Sequence, residues 1–513
     1  MHLLVYLFLC SLYSSALDLP SPAISDGCKS LTGAVEIQAS AIEAQLLRGR
    51  PVSINHALIK GNTINLAGKS VKFTLRMTDS IIEANLGFRN TVFADGLDLS
   101  KSCIRGIFYG ERAHFGTDIN FSGAIFARPV VLNSASINGA IGAIRTQFRG
   151  GADFSRAHIN GNGVDFTEAH FMQGANFMGT VVDYQGVFEG VIFDQDAAFE
   201  RAEFGSSAWF RERPTQGGTI PGAVFNGVAN FKGAKIGGQA NFIGVKFADE
   251  IRMTRTKFDE AYFWRAQALP CNGKPPGCKD VSFGDAEYGV LDFGGDGQGM
   301  KISPDRIINL TGLTYGRNNS LPYMLHLLGQ LEPAYNRQPY LYLEKWYRDR
   351  GDRATADDIY FERRRAEGDK IRKLDFARWI LDKVSRFVFG YGVKMSVPFI
   401  WVAALIGLCA FVLAGRDALA QRLPLLWPGS DTNRWPVWKR FGVSLWVSIN
   451  LLIPKANLPL ADRWTVQEEP VKVLRFRLPF TYKALASAAR VTVWVIITVS
   501  VSIFSISDLI KSS

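Results

Sequence analysis

Four groups of side chains carry whatever chemistry this 513-residue chain has: six histidines, the neighbouring carboxylates Asp357 and Asp358, a run of three arginines at Arg363, Arg364 and Arg365, and six cysteines. None has the spacing of a known catalytic device. No Gly-x-Ser-x-Gly elbow, His-Glu-x-x-His helix or phosphate-binding glycine loop followed by Lys occurs. Asp357 and Asp358 are adjacent on a helical pattern, so their side chains diverge; they read as ion-pair partners of Arg353 and Arg364 rather than as an acid and a base. The sequence assigns no catalytic residue, no cofactor-binding residue and no metal ligand. It implies no cofactor and no nucleic-acid partner.

The cysteines speak to compartment. Leu3 through Leu12 is a short apolar run, too short to span a bilayer. Small residues come next at Ser14 and Ala16, so residues 1–16 read as a secretory signal cleaved after Ala16. Setting aside Cys10 in that signal and Cys409 in a later apolar run leaves Cys28, Cys103, Cys271 and Cys278. Cys271 and Cys278 bracket a turn-forming Asn-Gly-Lys-Pro-Pro-Gly loop and are the favoured bridge, with Cys28–Cys103 as the other pair. An oxidising compartment agrees with the signal.

The elements that hold these residues come from a repeat. Hydrophobic residues at 47% and charged residues at 20% exclude a disordered tail, and 49 Gly without a period of three exclude collagen. Gly151-Ala152-Asp153-Phe154 is echoed by Gly174-Ala175-Asn176-Phe177, Val228-Ala229-Asn230-Phe231 and Gln239-Ala240-Asn241-Phe242. Large apolar residues recur in steps of five and six. They include Phe115, Phe121, Phe126, Phe148, Phe154, Phe166, Phe177, Phe188, Phe199 and, after a Gly/Pro/Arg-rich insertion, Ile220, Phe225, Phe231, Phe242 and Phe258. Neither period 2 nor period 3.6 generates this, so it marks neither an ordinary strand nor an amphipathic helix. Each step predicts one short side of a coil, its large residue inward, with Ala nearby making room. Four sides take about 22 residues, and coils stack ~4.8 Å apart.

The Ala-Asp/Asn-Leu/Phe-x-x unit resembles the pentapeptide-repeat family, in its Phe-rich five-plus-six variant. The resemblance implies a right-handed quadrilateral β-helix over roughly residues 61–295. It implies binding or scaffolding in place of catalysis. In such a coil His114, His158 and His170 each precede an inward residue and face outward. His114 and His158 fall two coils apart, ~10 Å, too far to share one metal ion.

Past Gly294 a glycine-rich linker (residues 296–335) leads to a helical pattern. Tyr340, Leu343, Trp346 and Tyr347 line one helix, and Ala356, Ile359 and Tyr360 line a second, ending in Arg363-Arg364-Arg365. This hairpin is expected to cap the open end of the solenoid. The three arginines are a candidate docking patch for an acidic partner or lipid head groups. Residues 396–414 and 491–507 are uncharged and near spanning length, and residues 441–454 read as a re-entrant or interfacial segment.

Residues 336–390 thus form the hairpin and a juxtamembrane helix, and 391–513 a membrane module; residues 17–60 are an N-terminal cap region. The C-terminal part is similar to bacterial membrane-bound pentapeptide-repeat proteins whose last module resembles two-helix cation channels. It departs from a potassium filter, because Gly390-Tyr391-Gly392 precedes the first span. Basic residues lie on both sides of that span, so charge barely sets orientation; the signal and the cysteines place the solenoid outside, in the periplasm. The reading is a membrane-anchored solenoid scaffold. Its partners are the lipid bilayer, a protein on the solenoid face and further copies of the chain. Alternatives are a subunit of a channel-like pore and, by how relatives are labelled alone, a membrane-associated oxidoreductase.

Overall fold

The computed structural model describes residues 28, 30–271, 280–294, 297–318, 321–329, 336–369, 375–415, 418–421, 435–453, 458, 464–473 and 476–512. Two compact units divide at Ala334/Tyr335, and each is described by itself.

One coil shows how the first unit is built. Cys103–Ile104 forms the first face, Phe108–Tyr109 the second, His114–Phe115 the third and Ile119–Asn120 the fourth. Ile125–Phe126 then lies in parallel register on Cys103–Ile104, 22 residues on. Half the corners are turns in which an amide donates back three residues. Ala124 N–H donates to the Phe121 carbonyl (2.8 Å) and Ala135 N–H to that of Leu132 (3.0 Å). Such turns need a positive φ at their third residue. That residue recurs every eleven positions, at Lys101, Arg112, Gly123, Ser134, Arg145 and Arg156. The five-plus-six alternation is the spacing of one left-handed corner per pair of sides.

The core is three columns of stacked rings and a fourth in which Ile137, Ile159, Val182 and Ile236 interrupt the aromatic residues. Phe154, Phe177, Phe199 and Phe231 stack with centroids 5.1, 4.8 and 4.9 Å apart and planes within 5°. Phe126, Phe148, Phe171, Phe193, Phe225 and Phe247 form a second column at 4.6–5.5 Å. Phe166, Phe188, Phe210, Phe242 and Phe263 form a third at 4.8–5.5 Å. Rings of different columns meet edge to face, as Phe188 meets Phe199 at 90°. The expected inward rings Phe121, Phe126, Phe154, Phe177, Phe188, Phe199, Phe231 and Phe242 are each at most 3% exposed. Burying each is worth ~1.5–3 kcal/mol, and each favourable ring pair adds ~0.5–1.5 kcal/mol.

Two expectations about the solenoid change. Ile220 is not in the ladder. It ends an antiparallel hairpin, Arg213–Thr215 with Gly218–Ile220, and the fully buried Phe210 takes the ladder position. The parallel ladder also runs further than residues 61–295. It begins where Val35–Gln38 pairs with Ala57–Lys60 and ends at Thr314–Asn318. Each end of the coil has a helix of its own. Helix α1 (Ala39–Leu47) buries Ala39, Ile42 and Leu46 near the first coils. Helix α2 (Leu321–Gly329) buries Met324, Leu327 and Leu328, and Tyr323 lies 5.7 Å from Phe293 with its hydroxyl donating to the Met300 carbonyl.

The second unit is helical. α3 (Arg337–Asp349), with Asn336 accepting from the Gln338 amide at its start, packs on α4 (Arg353–Asp369) through Tyr340, Leu343, Ala356 and Ile359. After α5 (Phe376–Phe387) comes a tight turn at Gly390–Gly392, then α6 (Ser396–Leu413). α7 (Val437–Leu452) and α8 (Tyr482–Ser512) complete it. Ile406, Cys409, Leu413, Leu452, Tyr482 and Val493 form its apolar core. The segment read as re-entrant, 441–454, lies almost wholly within α7, a continuous 16-residue helix. Among the described residues Ser396–Leu413 and Tyr482–Ile503 are long and apolar enough to cross a membrane. Only 22% of each is buried, unlike the core helix of a soluble protein.

Candidate functional site

Because coils stack in register, outward residues about 22 positions apart form columns. His114, Ser136 and His158 share one column on the third face, with one coil between the histidines. Each outward histidine reaches a side chain on the next coil: His158 lies 3.0 Å from Asp183, His170 2.7 Å from Asp194, and His114 3.5 Å from Asn138. No group of three His, Cys, Asp or Glu placed to hold a metal ion occurs among the described residues.

The second face carries a polar groove of about 420 Å³. Its floor is the column Asn230, Arg252, Ser282 and Asn309, brought into line by the ladder. Glu200, Lys232, Glu250 and Asp280 form its walls. The Arg252 guanidinium donates twice to Glu250, at 2.6 Å each, and this hydrogen-bonded carboxylate raises its pKa above the ordinary arginine value. Thr254 and Ser282 hydroxyls meet at 3.1 Å. The groove offers amide, hydroxyl and charged groups at a fixed rise, and no activated nucleophile. It suits recognition of an extended polar partner. Sequence periodicity marks these positions as outward but not as a groove, because the groove is formed by side chains of four successive coils together.

A second feature lies in the insertion, where no periodicity points to it. Glu189, 1% exposed, is bridged by Arg211 (3.2 Å) and by Arg213 at the base of the hairpin. Arg211 also lies 4.7 Å over the Trp209 ring. The hairpin is thereby tied to the coil beneath.

Cys28 and Cys103 form a disulfide, with Cα atoms 5.7 Å apart, across 75 residues. Cys103 is the outward residue of its first-face strand, so the bridge ties the N-terminal segment to the flank of the solenoid. Cys271 is disulfide-bonded as well; Cys278, its expected partner, lies outside the described residues.

In the helical unit the three arginines do not form one patch. Successive residues on a helix point about 100° apart. Arg363 is buried, 3.2 Å from the buried Glu344 and 4.9 Å over the Tyr360 ring. Arg364 pairs with Glu367 (3.1 Å) and Arg365 with Glu362 (3.5 Å). The docking patch expected there is therefore largely occupied by the helix pair itself. Asp358 pairs with Lys394 at 3.5 Å, not with Arg353 or Arg364.

Gly390, Tyr391 and Gly392 all have positive φ (55°, 53° and 76°). The Tyr391 hydroxyl donates to the buried Asp382 carboxylate at 2.9 Å, and burial pushes the phenol pKa up. A side chain at Gly368 would meet both Asp382 oxygens at 2.3 Å. The glycine–tyrosine–glycine run is thus a packed joint between α5 and α6.

A four-sided parallel solenoid of stacked coils defines a repeat protein. The family model described as pentapeptide repeats (9 copies) matches residues 220–267. The match and the coil together support a pentapeptide-repeat protein. No curated protein and no solved structure matches the chain.

Proposed function

We propose that the protein is a membrane-anchored scaffold of a bacterial envelope. Its solenoid stands on the extracytoplasmic side and holds a protein partner along the second face. The observation that carries this is the Cys28–Cys103 disulfide in a solenoid whose chain continues into two exposed apolar helices of spanning length. Disulfides persist in oxidising compartments. Charge is distributed to match: residues 35–318 hold 29 basic and 28 acidic residues, whereas 319–513 hold 28 basic and 17 acidic ones. The near-neutral solenoid suits a specific protein contact, and the basic excess suits a unit set against anionic lipid.

Two measurements test it. In intact spheroplasts a membrane-impermeant maleimide labels a Lys257→Cys variant if the solenoid is outside; labelling only after lysis overturns the placement. A photo-crosslinker at Asn309 in the full chain captures a discrete partner, and Arg252→Glu abolishes that capture. Capture unchanged by Arg252→Glu removes the groove from the reading.

A pore assembled from copies of the helical unit ranks second. What speaks for it is a polar row on α7. Arg440 Nε and Ser444 Oγ have no hydrogen-bond partner among the described residues, and both residues line a cavity of about 20 Å³, room for one water. Silent planar-bilayer recordings of the purified protein would remove it.

A further inference from the structure

Helix α5 is amphipathic the wrong way round for a soluble protein. Its polar side is the packed side. Asp382 is buried against Gly368 and Tyr391, and Arg386 and Lys383 reach Asp369 of α4 at 3.1 and 3.3 Å. Its apolar side faces outward. Phe376, Ile380, Val384 and Phe387 recur along one stripe, with Leu381 beside it, and they are 66, 39, 41, 57 and 67% exposed respectively. Five large apolar side chains on one short helix exceed the scattered exposure normal for a surface.

The neighbouring helix α6 indicates the medium that covers that stripe. The α5 C-terminus is tied to α6 by the Trp401 indole, whose N–H donates to the Phe387 carbonyl at 2.5 Å. Trp401 lies in the second turn of α6, about 7 Å along its axis from Ser396. An indole there, half exposed, sits at the depth where tryptophan marks the boundary between lipid tails and head groups. The tie holds the end of α5 at that same depth. Arg378, 79% exposed along its side chain and paired with Asp375 at 3.2 Å, stands on the Leu381 side of the stripe, where an interfacial helix carries basic residues.

We propose that α5 lies in the interface of the bilayer that α6 crosses, its Phe376–Phe387 stripe inserted among the upper acyl chains and its Asp382 side held to the protein. This rests on the reading of α6 as a spanning helix. α5, the Gly390–Gly392 joint and α6 then make one lipid-bound anchor that fixes the angle at which the chain leaves the membrane.

The test uses the full chain, with Cys409 changed to Ser, in phosphatidylcholine nanodiscs. Single nitroxide labels are placed at Leu381→Cys on α5, Leu408→Cys on α6 and Ala354→Cys as an aqueous control. Oxygen partitions into lipid, and a nickel chelate stays in water. The proposal expects the label at 408 to be relaxed by oxygen alone. The label at 381 also loses nickel relaxation relative to 354, at a shallower depth than 408. If 381 matches 354 while 408 lies in lipid, the interfacial helix is wrong and the spanning reading stands. If 381 is shielded from both reagents, protein covers the stripe and the proposal falls. If 408 is also relaxed by nickel, the spanning reading falls with it.

Discussion

Phe177 and Phe199 are 22 residues apart in the chain and one ring above the other in space, centroids 4.8 Å apart and planes 5° from parallel. Each also meets Phe188 edge-on, at 86° and 90°. The rings therefore brace their own column and the adjoining one.

Phe199→Ala removes a ring from the middle of this lattice, and coils that touch only their neighbours cannot close around it. The expected loss is ~3–5 kcal/mol, whereas Phe199→Leu, which keeps much of the volume, costs less than ~1.5 kcal/mol. Thermal unfolding followed by circular dichroism reads both. Hydrogen exchange should rise first in the strands on either side, around residues 175–177 and 229–231, and leave the first coils near residue 60 protected. A uniform rise along the whole solenoid would mean that the coil does not behave as a one-dimensional stack.

The physics of each region sets how much of it is legible in the sequence. A ring every five or six residues has no explanation but a coil, so Phe121 through Phe242 can be placed inward by counting alone. Counting fails where the chain leaves the period. Across the insertion it places Ile220 in the ladder, because a hairpin that leaves and re-enters a coil preserves no spacing; Phe210, just before it, is the ring that matters. Counting also begins too late. The coil from Val35 to Lys60 is lined by aliphatic residues such as Ile59 and Val52, which carry no distinctive repeat. The Cys28–Cys103 pair does have a signal: Cys103 precedes the inward Ile104, so its thiol must point outward to where an N-terminal segment can reach it. Arg363 is hidden in another way. A run of like charges reads as a surface, whereas its partner Glu344 lies nineteen residues earlier on another helix.

That disulfide carries a stability of its own. It closes a 75-residue span of chain, and removing such a bridge costs ~2–5 kcal/mol. Cys28→Ser should lower the unfolding midpoint, and a reducing agent should lower the wild type by a similar amount while leaving Cys28→Ser less affected. Equal sensitivity of both proteins to the reductant would assign the effect to the Cys271 bridge instead.

The same N-terminal segment has a pH-dependent tie. His56 lies 3.0 Å from Asp79 and 3.2 Å from the Thr32 carbonyl, and these two hydrogen bonds, Asp79's first, raise its pKa above the ordinary 6.5. A raised folded-state pKa contributes stability that is full below the unfolded value and disappears as pH rises through the folded one. Residues 30–34 should therefore exchange amide hydrogens more slowly on the acid side of 6.5, after correction for intrinsic rates, and loosen as the pH climbs past it. His56→Gln should flatten that dependence. A variant that keeps the same pH profile would show that another group titrates there.

Arg306 explains how the coil survives its other irregularity. On the first face Ile302 pairs with Ala268 at a separation of 34 residues instead of 22, while the Leu269 amide still donates to the Phe247 carbonyl at 2.8 Å. The Arg306 guanidinium, 3% exposed as a residue, donates to the carbonyls of Leu269 (2.8 Å), Asp249 (2.9 Å) and Phe247 (3.3 Å). Burial lowers its pKa, yet arginine remains protonated and keeps a planar fork of donors aimed at three places at once. An ammonium on a flexible stem cannot reproduce that fork. Arg306→Lys should cost ~1–3 kcal/mol, because the Leu269 and Asp249 carbonyls lose the guanidinium donors while that of Phe247 keeps only the Leu269 amide. Arg306→Met, which keeps most of the packing, should cost at least as much. Hydrogen exchange should rise at residues 247–249 and 269 in both variants. If Arg306→Met unfolds at the wild-type midpoint, the guanidinium merely fills space, and the carbonyls of that corner find their partners in water.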